Sequence, residues 1–475
     1  MKLEDSFPIA AMEVTMRSLA RISILGLALI AAAAFGFSQA ASSVEALPQP
    51  AGSTKVTFWF GLTGVNGDAV RKVVNKYNAS QSKYYVEAVS QPDYDATINK
   101  LNTSLAGGEL PNAVQVYDIG TQRMIDTKKI VPVQDLIDRD KLDIIKDLEP
   151  AVASYYTIAG KLYSMPFNSS APVMYFDKTA FKEVGLDTSK RIWTYDEVVA
   201  AAKALTKMDA EGKVIRHGIG FTLYSWILEE ELATQGALFA YPANGRQGRA
   251  EKLVFNGPEA VKWLELLKST IDAGSGESFG IDGGANSAAR DAAFVTGEAC
   301  ITFNSIASLR GYIKSAKDSG KGVDVGVAYI PRPAGAPGGV IIGGASLWIT
   351  NTGTADQQAG AWDFVKFASS PESQAFFASN TGYYPTRKAA YAVQDMKDAL
   401  VLYPQFQVAI DELRATRAYS ATQGAVYGTF VKARSNIQGA MEQFITGKIP
   451  SAQQALDGAA SMSTSELAEY NSTAN

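Results

Sequence analysis

The order of strand-like and helix-like segments between residues 55 and 116 constrains this chain more than any other feature. Lys55 to Phe60 (KVTFWF) reads as a buried first strand. Behind it Val70, Val73, Val74 and Tyr77 recur at helical spacing, with Asn66 as a candidate cap. A second strand at Tyr85 to Val89, a helix from about Asp95 to Leu105 ended by Gly107-Gly108, and a third strand at Ala113 to Val116 continue the alternation. Strands that alternate with helices are joined by crossovers, and crossovers build a mainly parallel sheet.

Beyond Tyr175 the chain turns helical. One amphipathic segment runs from Tyr195 to Met208, and another from Pro258 to Ala273 sets Val261, Leu264, Leu267 and Ile271 on one face, where they read as core packing. Strand-like runs return at Ala299 to Phe303 and Val325 to Ile330, and IIGGASLWIT brings an apolar strand out of a glycine turn. Pro331 to Gly339 (PRPAGAPGG) reads as a flexible surface loop, and roughly the last 130 residues are largely helical again. With 475 residues, 47% of them apolar, the chain is long enough for at least two domains of ordinary globular composition. The order predicts two lobes between which the chain passes more than once, and the cleft between them is the expected ligand site.

The N-terminus stands apart from that pattern. Arg17 and Arg21 precede an apolar run from Ile22 to Phe37, followed by Ser38-Gln39-Ala40, which together have the form of a secretory signal peptide cleaved after Ala40. Residues 1 to 15 read as an upstream extension, with Met12 or Met16 as the start of translation. Ala40 and Ala41 stand where a lipid-anchored protein would carry cysteine, so a freely soluble periplasmic product, monomeric, is expected. A net charge of -4 offers no basic surface for nucleic acid and no cluster to grip a membrane. The single cysteine, Cys300 in GEACITF, permits no disulfide within the chain and reads as core.

The reactive groups are few. His217 is the only histidine and Cys300 the only thiol, which removes serine–histidine and cysteine–histidine nucleophile pairs and histidine–cysteine metal sites. The acidic residues form no calcium loop, so neither a metal nor a cofactor is expected. A pair of carboxylates acting on a glycoside is the one catalytic arrangement left open. Ligand-holding groups are better supplied, on what read as loops: Tyr94 in QPDYDATI, Asp118 in QVYDIGT, Ser169 and Ser170 in PFNSSAPVMYF, Gly343-Gly344, and Tyr383 in TGYYPTRKAAY. A carboxylate beside tyrosines suits neighbouring hydroxyls of a polyol, while backbone amides at a glycine turn and an arginine suit a phosphate. PFNSSAPVMYF alone has two readings, a loop that wraps a ligand or a buried turn whose serines satisfy the chain's own polar groups.

Four of these segments, QVYDIGT, PFNSSAPVMYFDKTAF, IIGGASLWIT and TGYYPTRKAAY, in that order, resemble the extracellular solute-binding proteins of ABC importers (family 1), and among them the binders of glycerol 3-phosphate. The resemblance runs from about Lys55 to Leu456. It implies an α/β, periplasmic-binding-protein-like fold of two lobes joined by a hinge, with the ligand cleft between them. The expected N-terminal lobe is 54–166 plus 301–346, and the expected C-terminal lobe is 167–300 plus 347–475. It implies a ligand shell of Tyr94, Asp118, Ser170, Ser305, Gly344, Tyr383 and Arg434. In that shell Arg434 holds phosphate, Asp118 holds glycerol hydroxyls, and Ser169 only braces its turn. The implied partners are a glycerol phosphate ester and an ABC permease with its ATPase, and catalysis is not implied. Two positions depart from the family. Asp118 stands where glutamate is usual, one methylene shorter, and Leu223 where tryptophan is expected, a loss that enlarges the pocket towards a phosphodiester such as glycerophosphocholine unless nearby Trp226 compensates. A di- or oligosaccharide is the rival ligand, served by 21 tyrosines and 6 tryptophans as stacking surfaces. A secreted glycerophosphodiester hydrolase is the rival of another class.

Overall fold

The computed structural model of the protein describes residues 44–474, so the expected leader and its cleavage point at Ala40 lie outside the described residues. Two mixed sheets of six strands each organise the chain. In the first, Thr54–Phe60 pairs in parallel with both Tyr84–Ser90 and Ala113–Tyr117, as the alternation predicts. Gly343–Thr350 then runs antiparallel beside Ala113–Tyr117 and also pairs with Met165–Ser170. The second sheet repeats the plan, with Val214–Leu223 parallel to Gly276–Ile281 and to Ala299–Ser305. Pro172–Asp177 is the antiparallel neighbour there, between Ala299–Ser305 and Val325–Tyr329.

The helices follow from the same periodicities. Gly64–Ser80 buries Val70, Val73, Val74 and Tyr77, the predicted stripe, but it starts two residues before Asn66 and takes Thr63 as its cap position. The helix Tyr94–Leu105 is capped by Asp93, whose side chain accepts the Ala96 amide at 2.7 Å. Thr194 and Glu197 form a reciprocal capping box on Tyr195–Leu205, which satisfies two otherwise orphaned donors and fixes where that helix begins. This helix ends at Leu205, and Lys207–Met208 turns into a short strand instead. Cys300 is fully buried in its strand, as expected, and burial pushes its thiol up to about 12.

The division of the chain between the sheets differs from the expected segments. Residues 301–305 of the strand Ala299–Ser305 and all of Val325–Tyr329, expected in the N-terminal lobe, belong to the second sheet. Residues after 347 do not all go to the C-terminal lobe either. Ala355–Ala368 packs on Thr54–Phe60, and Pro371–Asn380 packs on Gly64–Ser80. The chain returns to the second lobe only with Gln405–Ala415, which packs on Val325–Tyr329. The physical reason is that Gly343–Thr350 rejoins the first sheet, whose exposed face then needs the next helices to cover it.

The crossing between sheets at Ala171 is a single buried residue between two buried strands, Met165–Ser170 and Pro172–Asp177. PFNSSAPVMYF is therefore a pair of strands that changes sheets, and not a loop. Among the described residues no helix is long and apolar enough to cross a membrane.

Candidate functional site

Parallel strands deliver whatever follows their carboxyl ends to one edge of a sheet, and that edge is where ligands bind in open α/β sheets. Here both sheets turn those ends towards one cleft. Tyr94 follows Tyr84–Ser90 and starts a helix, while Asp118 follows Ala113–Tyr117 as the first residue of a 3-10 turn. In the second sheet Ser305 ends its strand, and the helix Ser225–Thr234 follows Leu223.

The seven expected residues lie at or beside these strand ends, and the contacts that follow join several of them. The Tyr94 and Tyr383 hydroxyls are 3.4 Å apart. A chain of amides behind Tyr94 holds its hydroxyl in place. Asn168 Nδ2 donates to it at 2.9 Å, Gln115 Nε2 donates to Asn168 Oδ1 at 2.8 Å, and the Gly61 amide donates to Gln115 Oε1 at 3.0 Å. The Tyr94 ring stacks on Tyr117 at 5.3 Å, and the guanidinium of Arg434 lies over the Tyr117 ring at 6.0 Å. Arg434, on the helix Phe430–Ile445, reaches Asp118 Oδ2 at 3.9 Å. Ser305 and Tyr383 line a cavity of about 660 Å³ that also includes Thr63, Asn66 and Arg310.

The strand pair Gly343–Ser170 and Gly344–Ser169 sets the remaining two residues side by side. Gly344 has φ +107, and a Cβ there would stand 2.0 Å from the Asn168 carbonyl oxygen, so this position requires glycine. The two serines differ in what they already do. Ser169 Oγ donates within 3.4 Å to the Gly343 carbonyl and the Tyr384 hydroxyl. Ser170 offers its carbonyl to Tyr384 at 2.8 Å, while its hydroxyl makes no bond to a protein group among the described residues. Ser305 Oγ accepts the Ala307 amide at 3.1 Å and still has its proton to donate.

Arg434 carries a partner that the sequence reading missed. Its Nε and Nη2 donate to the two oxygens of Glu229 at 2.7 and 2.8 Å, a paired fork in a site where Arg434 is 8% and Glu229 5% exposed. Glu229 is one of three successive glutamates in SWILEEELAT, a helix buried at all ten of its positions. Glu230 Oε2 accepts the Ile341 amide, and Glu231 Oε2 accepts the Tyr195 hydroxyl. A run of charge usually marks a solvated face. The signal against that reading was the flanking apolar residues, which leave this helix no polar side to turn to water.

Burial dominates the electrostatics of the cleft. Asp118 is pushed up to about 7 by desolvation, against the pull of Arg434 and with the added repulsion of Glu229. Burial also raises Glu229, opposed by its ion pair with Arg434, while Arg434 itself is held well above its ordinary value by the two carboxylates despite burial. Leu223 is buried at the end of its strand, and its carbonyl accepts Gln438 Nε2 from one turn beyond Arg434. Trp226 lies against Gly343, where a Cβ would stand 2.6 Å from the ring. The Tyr224 ring is 5.7 Å from that of Trp226. No grouping of three or more metal-ligating side chains occurs among the described residues.

This geometry, paired α/β sheets whose carboxyl edges share one polar cleft, is matched by known proteins. Residues 72–402 match the family described as bacterial extracellular solute-binding protein. The sn-glycerol-3-phosphate-binding periplasmic protein UgpB of Yersinia enterocolitica is 31% identical over 418 residues, covering 86% of this chain and 91% of that one. UgpB of Salmonella typhimurium is 31% identical over 413 residues, with 86% and 91% covered. Among solved structures, UgpB from Mycobacterium tuberculosis in complex with glycerophosphocholine superposes with a TM-score of 0.71 at 21% identity, covering 88% of this chain and 100% of that one. The GacH receptor of Streptomyces glaucescens, solved unliganded and with acarbose, gives 0.70 at 18% identity over 87% and 98%. The chain belongs to the bacterial extracellular solute-binding protein family.

Proposed function

We propose that the protein works in the periplasm as the substrate-binding component of an ABC importer. It captures a glycerol phosphate ester between its lobes and delivers it to the membrane permease and its ATPase. One observation carries the ligand class: a buried arginine, Arg434, stands 3.9 Å from the carboxylate of Asp118, the pairing that a phosphate joined to a polyol calls for. In this reading Arg434 contacts phosphate, with Ser170, Ser305, Tyr383 and the Gly344 amide around the remaining oxygens. Asp118 receives the glycerol hydroxyls, and Tyr94 closes the side wall. The names of the curated relatives support this assignment, and the resemblance, which implies a tryptophan where Leu223 stands, favours a diester.

A sugar ligand draws support from the aromatic surfaces around the cleft and from maltose- and acarbose-bound structural relatives. Calorimetric titration of the purified protein with glycerol 3-phosphate, glycerophosphocholine and maltose separates the readings. Heat from either ester and none from maltose is expected, and saturable maltose binding alone would overturn the ester assignment. Retention of glycerophosphocholine in stoichiometric amount is expected. Sustained release of choline by the metal-free protein would replace a binding role with a hydrolytic one.

A further inference from the structure

In a cleft shielded from water, net charge decides which ligand enters, because charges there interact more strongly than in solvent. Among the described residues Arg434 is the one cation in contact with both carboxylates, Asp118 at 3.9 Å and Glu229 at 2.7 Å. Its fork, the edge that would pair with two phosphate oxygens, is filled by Glu229, which leaves Nη1 and the second Nη2 hydrogen for a ligand. Most other charged groups near the cleft have their donors and acceptors taken up by the protein, although Arg310, which lines the cavity with Ser305 and Tyr383, lies over the Tyr403 ring at 4.9 Å and pairs with no carboxylate among the described residues. Arg246, stacked over the Tyr155 ring at 5.0 Å, donates to the carbonyls of Ser154, Tyr155, Gln423 and Gly424. Asp95 accepts the Tyr117 hydroxyl, and Asp282 accepts Arg290 and Thr222. The tyrosines at 117, 155, 224 and 427 are kept neutral by burial.

We infer that Glu229 is a specificity-determining residue: by occupying the fork of Arg434 and cancelling its charge, it disfavours a dianionic phosphomonoester and selects a diester of low or zero net charge. This rests on the reading that the ligand is a glycerol phosphate ester. A monoester near neutral pH brings between one and two negative charges, a simple diester brings one, and a diester with a quaternary ammonium brings none overall. Only the last leaves the charge of the Arg434–Glu229–Asp118 group unchanged on binding.

The test is a charge series on the purified protein, with sn-glycerol 3-phosphate, its methyl diester and glycerophosphocholine titrated at one pH and ionic strength. The unmodified protein is expected to bind glycerophosphocholine at least about tenfold more tightly than the monoester, with the methyl diester between them. Glu229→Gln keeps the shape and one acceptor but removes the charge. It should narrow that ratio about tenfold or more, chiefly by tightening the monoester. An equal change for all three ligands with Glu229→Gln, or a monoester bound as tightly as glycerophosphocholine by the unmodified protein, would overturn the role of Glu229. Should melting show the variant unfolded, the series on the unmodified protein still decides, since an order that ignores charge overturns the inference. Absence of heat from all three ligands removes the ester reading together with this inference. Tight ester binding with an unchanged ratio removes the inference alone.

Discussion

Two places in the molecule bring an arginine, an aspartate and a tyrosine ring together across the lobes, and they titrate in opposite directions. At the cleft centre Arg434 approaches Asp118 over the ring of Tyr117. At the rim Arg249 donates to both oxygens of Asp126 at 3.1 and 2.9 Å, with Arg249 and Arg123 over the ring of Tyr470. Burial raises Asp126 too, but donors from Arg249, Tyr470 and Gln122 outweigh it and bring the group below its ordinary value. Asp118 has two backbone amides and a guanidinium already claimed by Glu229, and it ends at about 7. The difference is one of donors for each buried carboxylate. The rim is a completed fastener, whereas the centre keeps acceptors and hydroxyls without partners, which is the condition a ligand can improve.

The largest effect that separates the two places is removal of Arg434. Arg434→Ala leaves two buried carboxylates without a cation and a phosphate without its donor, a loss of about 1.5 to 3 kcal/mol or more in ester binding. Calorimetry should show ester affinity down by a factor of ten to over a hundred, against little change for any sugar that binds. If Arg249→Ala costs more ester affinity than Arg434→Ala, the assignment of centre and rim is inverted.

The second effect is on pH, and a diester suits it because its phosphate does not titrate near neutrality. Asp118 has a raised value, so its protonated form is favoured below about 7. Stability from that form is full at low pH and is lost as pH rises through about 7. Ionisation also adds a negative charge beside the phosphate. Affinity for an anionic diester should therefore fall about tenfold between pH 6 and 8, and Asp118→Asn should flatten the profile. Asp126 is lowered and stays ionised across that window, so Asp126→Asn should leave the slope as it was. A slope that survives Asp118→Asn and disappears with Asp126→Asn would place the titrating group at the rim.

How much of this was legible in the sequence depends on whether a signal was local. The first βαβαβ run could be read because burial on both faces writes apolar strands, and helical spacing marks what covers them. Met165–Ser170 could not be read as a strand, because asparagine and two serines favour turns. Its conformation is imposed by pairing with Gly343–Thr350, more than 170 residues away. The lobe assignment of residues 301–305 and Val325–Tyr329 failed for the same reason, since a strand's own pattern does not say which sheet it joins. Arg434 entered the site only through family resemblance, and Glu229 did not enter it at all. Neither residue type announces burial, and the pair is created by two helices that meet only in the folded chain.

A third, smaller effect tests the centre from its serines. The Ser169 hydroxyl is committed to Gly343 and Tyr384, so Ser169→Ala should lower the melting temperature, with a loss of about 1 kcal/mol and a small change in affinity. Ser170→Ala should do the reverse, with affinity down several-fold at an unchanged melting temperature. Equal behaviour of the two variants would remove Ser170 from the ligand shell.

The smallest effect belongs to the rim, and its form matters more than its size. Arg249 keeps about a third of its side-chain surface in water (35%), so the pair with Asp126 contributes only about 0.2 to 1 kcal/mol. That energy is available only when the lobes are together, because Asp126 follows a strand of the first sheet while Tyr470 lies on the helix Ala452–Thr473, which packs against helices of the second lobe. Arg249→Ala or Tyr470→Phe should therefore weaken every ligand by the same two- to five-fold factor. Small-angle scattering of the ligand-free variant should show a larger radius of gyration than that of the unmodified protein. A ligand-dependent loss would mean that the rim touches cargo, and an unchanged radius would mean that its bonds do not hold the lobes. A uniform loss with expansion is what a closure fastener predicts, since such a contact changes how often the cleft is shut and not what it prefers once shut.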